Sequence, residues 1–135
     1  MPNSLYDSAR ERLLLGSFNW TSDAFNLVLV DGTPSYTVSL TTHTFYSSVQ
    51  GSVVSGPVAL ASKTIVAGAA AASNVTFTGV SGPSIESIVC YKQVTTAQDS
   101  PLLFYIDTAT GLPITPNGGD IIVSWDLGPN KIFKP

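Results

Sequence analysis

The sequence predicts a mainly β fold, an antiparallel β-sandwich or jelly-roll-like barrel with one short N-terminal α-helix. Three observations carry this. Short apolar runs rich in Val, Ile, Phe and Tyr recur from Phe25 to the C-terminus. Turn signals such as Gly32-Thr33-Pro34 and Asn117-Gly118-Gly119 separate them, which gives about eight strands at regular spacing. The one stretch with helical periodicity lies at the start. With 135 residues and no linker or internal repeat, the expectation is a single domain over 1–135. Residues 1–16 hold the helix and 19–135 the β-rich body.

The helix is expected over Ser4 to Leu15. Leu5, Tyr6, Ala9 and Leu13 recur at three- and four-residue steps and make one apolar stripe. Ser4 is the N-cap candidate, with Asp7 in the acid position of a capping box, and Gly16 supplies the stop. Its expected role is to cover an open end of the core, with a docking arm as the alternative. Phe25 to Asp31, FNLVLVD, has the length and residue types of a strand. After the break at Gly32-Thr33-Pro34 comes YTVSL, inside the β-rich body. Thr42 to Val49 alternates poorly and reads as a short helical turn or loop.

Val58 to Val66 resumes strand character. The tract Ala67 to Ser73 has alanine's helix propensity but is too short to nucleate a helix unaided. It reads as a hairpin with Gly68 in the turn. In NVTFTGV, Val75 and Phe77 should face one way and Thr76 and Thr78 the other. SIESIVCYKQV reads as a long strand buried on both faces. PLLFYID is apolar almost throughout, as a central strand covered on both sides would be. DIIVSWD places Ile121, Val123 and Trp125 together, and a turn at LGPN leads to a last short strand, KIFK.

Composition narrows the function classes. Apolar residues make up 44% and charged residues 11%, against roughly 25% charged in average soluble proteins. Hydroxyls take their place, with 17 Ser and 14 Thr. Such a surface has little charge to keep neighbouring copies apart, which suits a life inside an assembly or a secreted β-domain. A net charge of −3 provides no basic stripe for phosphates, so no nucleic-acid partner is expected. No segment approaches the roughly 18 apolar residues that span a bilayer, so no membrane partner is expected either. Arg10, Glu11 and Arg12 ahead of only Leu13 to Leu15 do not make a signal peptide, which predicts synthesis in the cytoplasm.

The residue types that carry chemistry are sparse. Asp107, Asp120 and Asp126 cluster in FYIDTATGLPITPNGGDIIVSWD, where a cation site would need oxygen ligands at alternate positions and a closing Glu. The alternate positions after Asp107 are Ala109, Gly111 and Pro113, and no Glu follows Glu86. The aspartates are expected to punctuate turns, with Asp accepting local backbone N–H groups at DTATG and PNGGD. His43 is the one histidine and Cys90 the one cysteine. That is poor material for zinc, and Cys90 sits mid-strand among apolar neighbours where a nucleophile would be inaccessible. No nucleophile-elbow or phosphate-binding glycine motif occurs. The expectation is no catalytic residue, no metal and no cofactor. Asn19-Trp20-Thr21 and Asn74-Val75-Thr76 match the glycosylation sequon by chance in a Thr-rich chain. Trp20, Trp125, Tyr91, Phe104 and Tyr105 could form a sugar-stacking platform, but most fall on expected core positions.

Two long stretches carry a resemblance: SLYDSARERLLLGSFNWTSDAFNLVLVD, and LLFYIDTATGLPITPNGGDIIVSWDLGPNKIFKP. A helix ending in Gly, then a Trp, then a strand closing on "LVD", with the C-terminal "YIDTATGLP-TPNGGDI-V-WD-G-NKIFK" pattern, is similar to a family of small proteins from the structural-gene modules of tailed bacteriophages. The middle of the chain follows the same rhythm. It departs at Thr42 to Val49, where relatives carry more acidic residues. The resemblance implies a non-enzymatic virion structural protein with no catalytic residues to carry over. The reading that follows is a capsid decoration or cement protein that docks on the major capsid protein or other virion proteins, as a monomer or a homo-oligomer. A tail, neck or fibre component is the alternative, and a carbohydrate-binding adhesin a further one.

Overall fold

The computed structural model describes residues 4–32, 36–107, 112–125 and 132. It is mainly β, with antiparallel sheets, one short N-terminal helix and no closed barrel among the described residues. The strands are β1 (Ser4–Leu5), β2 (Phe25–Val30), β3 (Val53–Ala59), β4 (Thr64–Val66), β5 (Ala69–Ala71), β6 (Val75–Phe77), β7 (Ser87–Lys92), β8 (Leu102–Ile106) and β9 (Ile121–Val123). Helix α1 spans Asp7–Leu15. Five strands form the main sheet in the order β1-β8-β7-β2-β3, and β4-β5 and β6-β9 form two small sheets.

The main sheet is apolar on both faces because its strands are. In register, Leu27 lies beside Cys90 and Cys90 beside Phe104, while Leu29, Ile88 and Ile106 form the next row of the same face. Period-two alternation sends Val28, Val89 and Tyr105 to the other face. The first face is covered by the small sheets. Val75, Phe77 and Val123 are buried there, and Trp125 meets Phe104 edge-on with centroids 6.2 Å apart. The second face is covered by irregular chain. Tyr46, in a short 3-10 turn over Tyr46–Ser48, stacks on Tyr91 at 3.9 Å, and Tyr36 lies 6.2 Å from Tyr105. Each fully buried Leu, Val or Phe in these rows contributes about 1.5–3 kcal/mol of transfer free energy.

Several elements start or stop away from the sequence expectation, each for a local reason. Ser4 is not the N-cap. It pairs with Tyr105 as part of β1, and the helix begins at Asp7 behind an extended Tyr6 whose N–H bonds the Leu103 carbonyl. Pairing with β8 has outcompeted one extra helical turn. The stripe itself holds: Tyr6 and Ala9 are buried, Leu13 packs against the core, and the Gly16 N–H closes the helix on Leu13. YTVSL is no strand; the chain there runs irregularly and hands the Leu40 carbonyl to the Asp7 N–H. Val58 to Val66 is two strands, split where Leu60 bonds Phe25 and Ser62 takes a positive φ. β8 is buried on both faces yet lies next to the sheet edge, with only the two-residue β1 outside it.

The hairpin of the alanine tract forms as expected. Val66 pairs with Ala69 across Ala67 and Gly68, whose φ values of 49° and 83° match a type I′ turn. The expected strand KIFK and the turns of DTATG and LGPN fall largely outside the described residues. Ile132 is described, and its N–H donates to the Ala70 carbonyl at 2.9 Å.

Candidate functional site

Asp107 and Asp120 sit in different parts of the fold. Asp120 accepts from the Gly79 N–H at 3.0 Å, while Gly118 and Gly119 exchange backbone bonds with Val80. It therefore fastens the approach to β9 onto the end of β6. Asp107 follows β8 in the main sheet and faces the Tyr105 hydroxyl, whose pKa is pushed up to about 12 by burial first and then by the Asp107 charge. Asp126 lies outside the described residues. Among those residues, no three His, Cys, Asp or Glu side chains come together as a metal would require.

Cys90 is fully buried in the middle of β7, and burial drives its thiol pKa well up, away from the reactive thiolate. His43 belongs to a hydrogen-bonded chain. The Tyr6 and Tyr36 hydroxyls meet at 2.7 Å, and the Tyr36 hydroxyl lies 3.0 Å from His43 Nδ1, which also accepts the Ser39 N–H at 3.3 Å. Two donors converging on Nδ1 place the ring proton on Nε2. Burial lowers the His43 pKa and raises that of Tyr6. The chain ties the start of α1 to the irregular segment over the second sheet face. Of the proposed sugar platform, Trp20, Tyr91, Phe104 and Tyr105 are core residues. The Trp125 indole N–H donates to the Ser73 carbonyl at 3.0 Å.

One pair escaped sequence reasoning. Asp31 and Glu86 are neighbours because β2 and β7 end side by side. The Asp31 pKa is raised, by burial first and then by the Glu86 carboxyl, and that of Glu86 is lowered, chiefly by the Ser84 hydroxyl. Glu86 Oε1 also accepts the Gly32 N–H at 3.0 Å. No spacing rule joins residues 55 positions apart, so only strand pairing could reveal it. The pair holds the exit of β2 and lies apart from the apolar cleft described next.

That cleft, of about 320 Å³, opens between the end of α1 and the β4-β5 hairpin. Leu13, Phe18, Trp20, Ile65 and Ala70 line it, with Asn19 adding the polar contribution. Trp20 builds its floor: the ring packs on Phe25, and its indole N–H donates at 3.0 Å to the carbonyls of both Thr64 and Ala71, clamping the hairpin. On the two elements that flank it, several apolar residues are not hidden. Leu14 is 90% exposed, Leu15 78%, Ile65 61% and Val66 48%.

The sequence carried a signal for this. In a nine-residue helix with one buried stripe, Leu13, Leu14 and Leu15 stand about 100° apart, so only one of the three can face the core. Adjacent Ile65 and Val66 in a strand must likewise point to opposite faces, and β4 has every residue exposed. Ile122 is exposed alone on β9, as single apolar residues commonly are. No titratable side chain is among the residues that line the cleft.

No protein-family model matches the chain. None of the curated proteins compared with it matches either.

Proposed function

We propose that this protein is a non-enzymatic structural component of a bacteriophage particle, a decoration or cement protein that docks on the capsid shell through the apolar face at the end of α1 and the β4-β5 hairpin. The observation that carries the docking part is the exposure of Leu14, Leu15, Ile65 and Val66 on the two elements that flank an uncharged cleft. A free monomer gains nothing by leaving four large apolar side chains in water, and such concentrations mark interaction sites. The phage setting rests on the resemblance of both chain ends to the structural-module family.

The mechanism is that of a clamp. A rigid β-body covered on both sheet faces brings a preformed surface to the junction between shell subunits, so little ordering entropy opposes docking. A standard interface buries about 800 Å² per partner, and repetition over the shell multiplies a modest contact into particle stability. The chain would be made in the host cytoplasm and end in the virion.

Quantitative mass spectrometry of purified particles tests this. Copy numbers on the order of hundreds, comparable with the shell protein, are expected for a repeated surface clamp. A handful of copies per particle would move it to the tail, neck or a fibre. Its absence from the particle would overturn the virion reading.

A further inference from the structure

The β4 edge has the geometry to recognise itself. Val66 and Ala69 flank a two-residue turn and so form the hydrogen-bonded pair of the hairpin. The phase of the ladder then turns the backbone N–H and C=O of the next pair, Ile65 and Ala70, away from each other and out of the hairpin. The Ala70 carbonyl confirms this phase, because it accepts the Ile132 N–H from outside. On β5, therefore, the outer edge is engaged. On β4 it is not: the main chain of Ile65 has no partner among the described residues, and Thr64, Ile65 and Val66 are all exposed.

We infer that two copies of this chain pair antiparallel through β4 about a two-fold axis at Ile65, which joins their hairpins into one four-stranded sheet β5-β4-β4-β5. The inference deepens the reading of this apolar face as an assembly surface and rests on it. An outward N–H and C=O on one residue are self-complementary under a two-fold, so each Ile65 donates to and accepts from the other. In that register Thr64 lies opposite Val66 of the partner, and the two Ile65 side chains stand together on one face. Since Ile65 lines the cleft, the two clefts become neighbours across the axis.

Charge permits the pairing. The nearest charged residue in the strand direction, Lys63, falls opposite Ala67 of the other copy, four residues from the second Lys63. That separation is about 13 Å, beyond the screening length of about 8 Å at physiological salt. Area limits its strength. A three-residue ladder falls far short of the roughly 800 Å² per partner of a stable complex. The contact is expected to remain weak, with dissociation between about 10 and 100 µM.

Sedimentation equilibrium of the full chain from about 5 to 500 µM should show this monomer–dimer equilibrium. Ile65→Pro removes only the outward N–H, so the hairpin survives and dimerisation should weaken at least about tenfold. Ile65→Cys places thiols directly across the axis, where the Cα separation of about 5.5 Å suits a disulfide. Mild oxidation should link that variant and leave a control, Ile122→Cys on β9, without a cross-link. A chain that stays monomeric throughout and fails to cross-link at position 65 overturns the pairing. That result would leave the capsid-docking reading intact, because particle copy number tests it separately.

Discussion

His43 shows how a single side chain can report on the packing around it. Its Nδ1 accepts from Tyr36 and Ser39, so a proton placed there would turn an acceptor into a donor against the Ser39 N–H. Burial holds its pKa below the ordinary 6.5. The unfolded chain therefore takes up the proton first as pH falls. Stability should be fully present above pH 6.5 and decline below it, and His43→Gln should flatten that slope between pH 7 and 5.5. As the one histidine, its ring signal can be titrated by NMR without overlap; a midpoint at or above 6.5 would contradict the hydrogen-bonded chain. Glycines give the second residue-scale contrast. At Gly56 φ is 106°, and an added Cβ would stand 2.9 Å from the Leu27 carbonyl and 3.1 Å from the Phe77 ring. Gly56→Ala should cost at least about 2 kcal/mol in urea unfolding. Gly51 has open space and no positive φ, so Gly51→Ala should be neutral or stabilising by up to about 1 kcal/mol.

Among the elements, the β4-β5 hairpin depends most on a single residue. Three residue pairs cannot hold a hairpin in water by themselves. Trp20 supplies what is missing, with one N–H on two hairpin carbonyls and its ring on Phe25. Trp20→Phe keeps an aromatic ring and loses the N–H, so the hairpin should loosen before the main sheet does, at a cost of about 1–2 kcal/mol. Hydrogen exchange should quicken at Thr64 and Ala71 while β7 stays protected; equal acceleration in both would mean the indole supports the whole core. The β6-β9 pair has its own fastener in Asp120. If that carboxylate only anchors Gly79, Asp120→Ala should lower the melting temperature slightly, and a chelator should shift neither wild type nor variant. A chelator-dependent wild type would reinstate a cation at these aspartates.

Among the described residues the molecule is a sheet buried on both faces, with four of its exposed large apolar side chains at the helix end and hairpin. The fold and the proposed docking surface are then separable. Leu14→Lys with Leu15→Lys should leave the unfolding free energy within about 0.5 kcal/mol, since both side chains are exposed and cations favour a helix C-terminus. On the proposed capsid docking, the same variant should be lost from assembled particles. Retention at wild-type copy number would show that docking uses another surface.

Alternation and turn chemistry, both local, were enough to read most of the strands. FNLVLV, the Gly68 hairpin, the inward Val75 and Phe77, the Gly16 stop and the buried Cys90 all followed from neighbours a few residues away. Strand order, the Ser4 pairing that shortens the helix, the Asp31–Glu86 pair and the Tyr6–Tyr36–His43 chain did not. Each joins residues distant in sequence, and the choice among such pairings is made by the total packing of the core, which no local pattern encodes. The candidate site lies between these cases. The sequence alone determined that Leu13 to Leu15 and Ile65-Val66 hold more apolar surface than one stripe or one face can bury. Only the tertiary structure decided that the two elements meet at one cleft, lined by Leu13 and Ile65, because Trp20 carries the hairpin there.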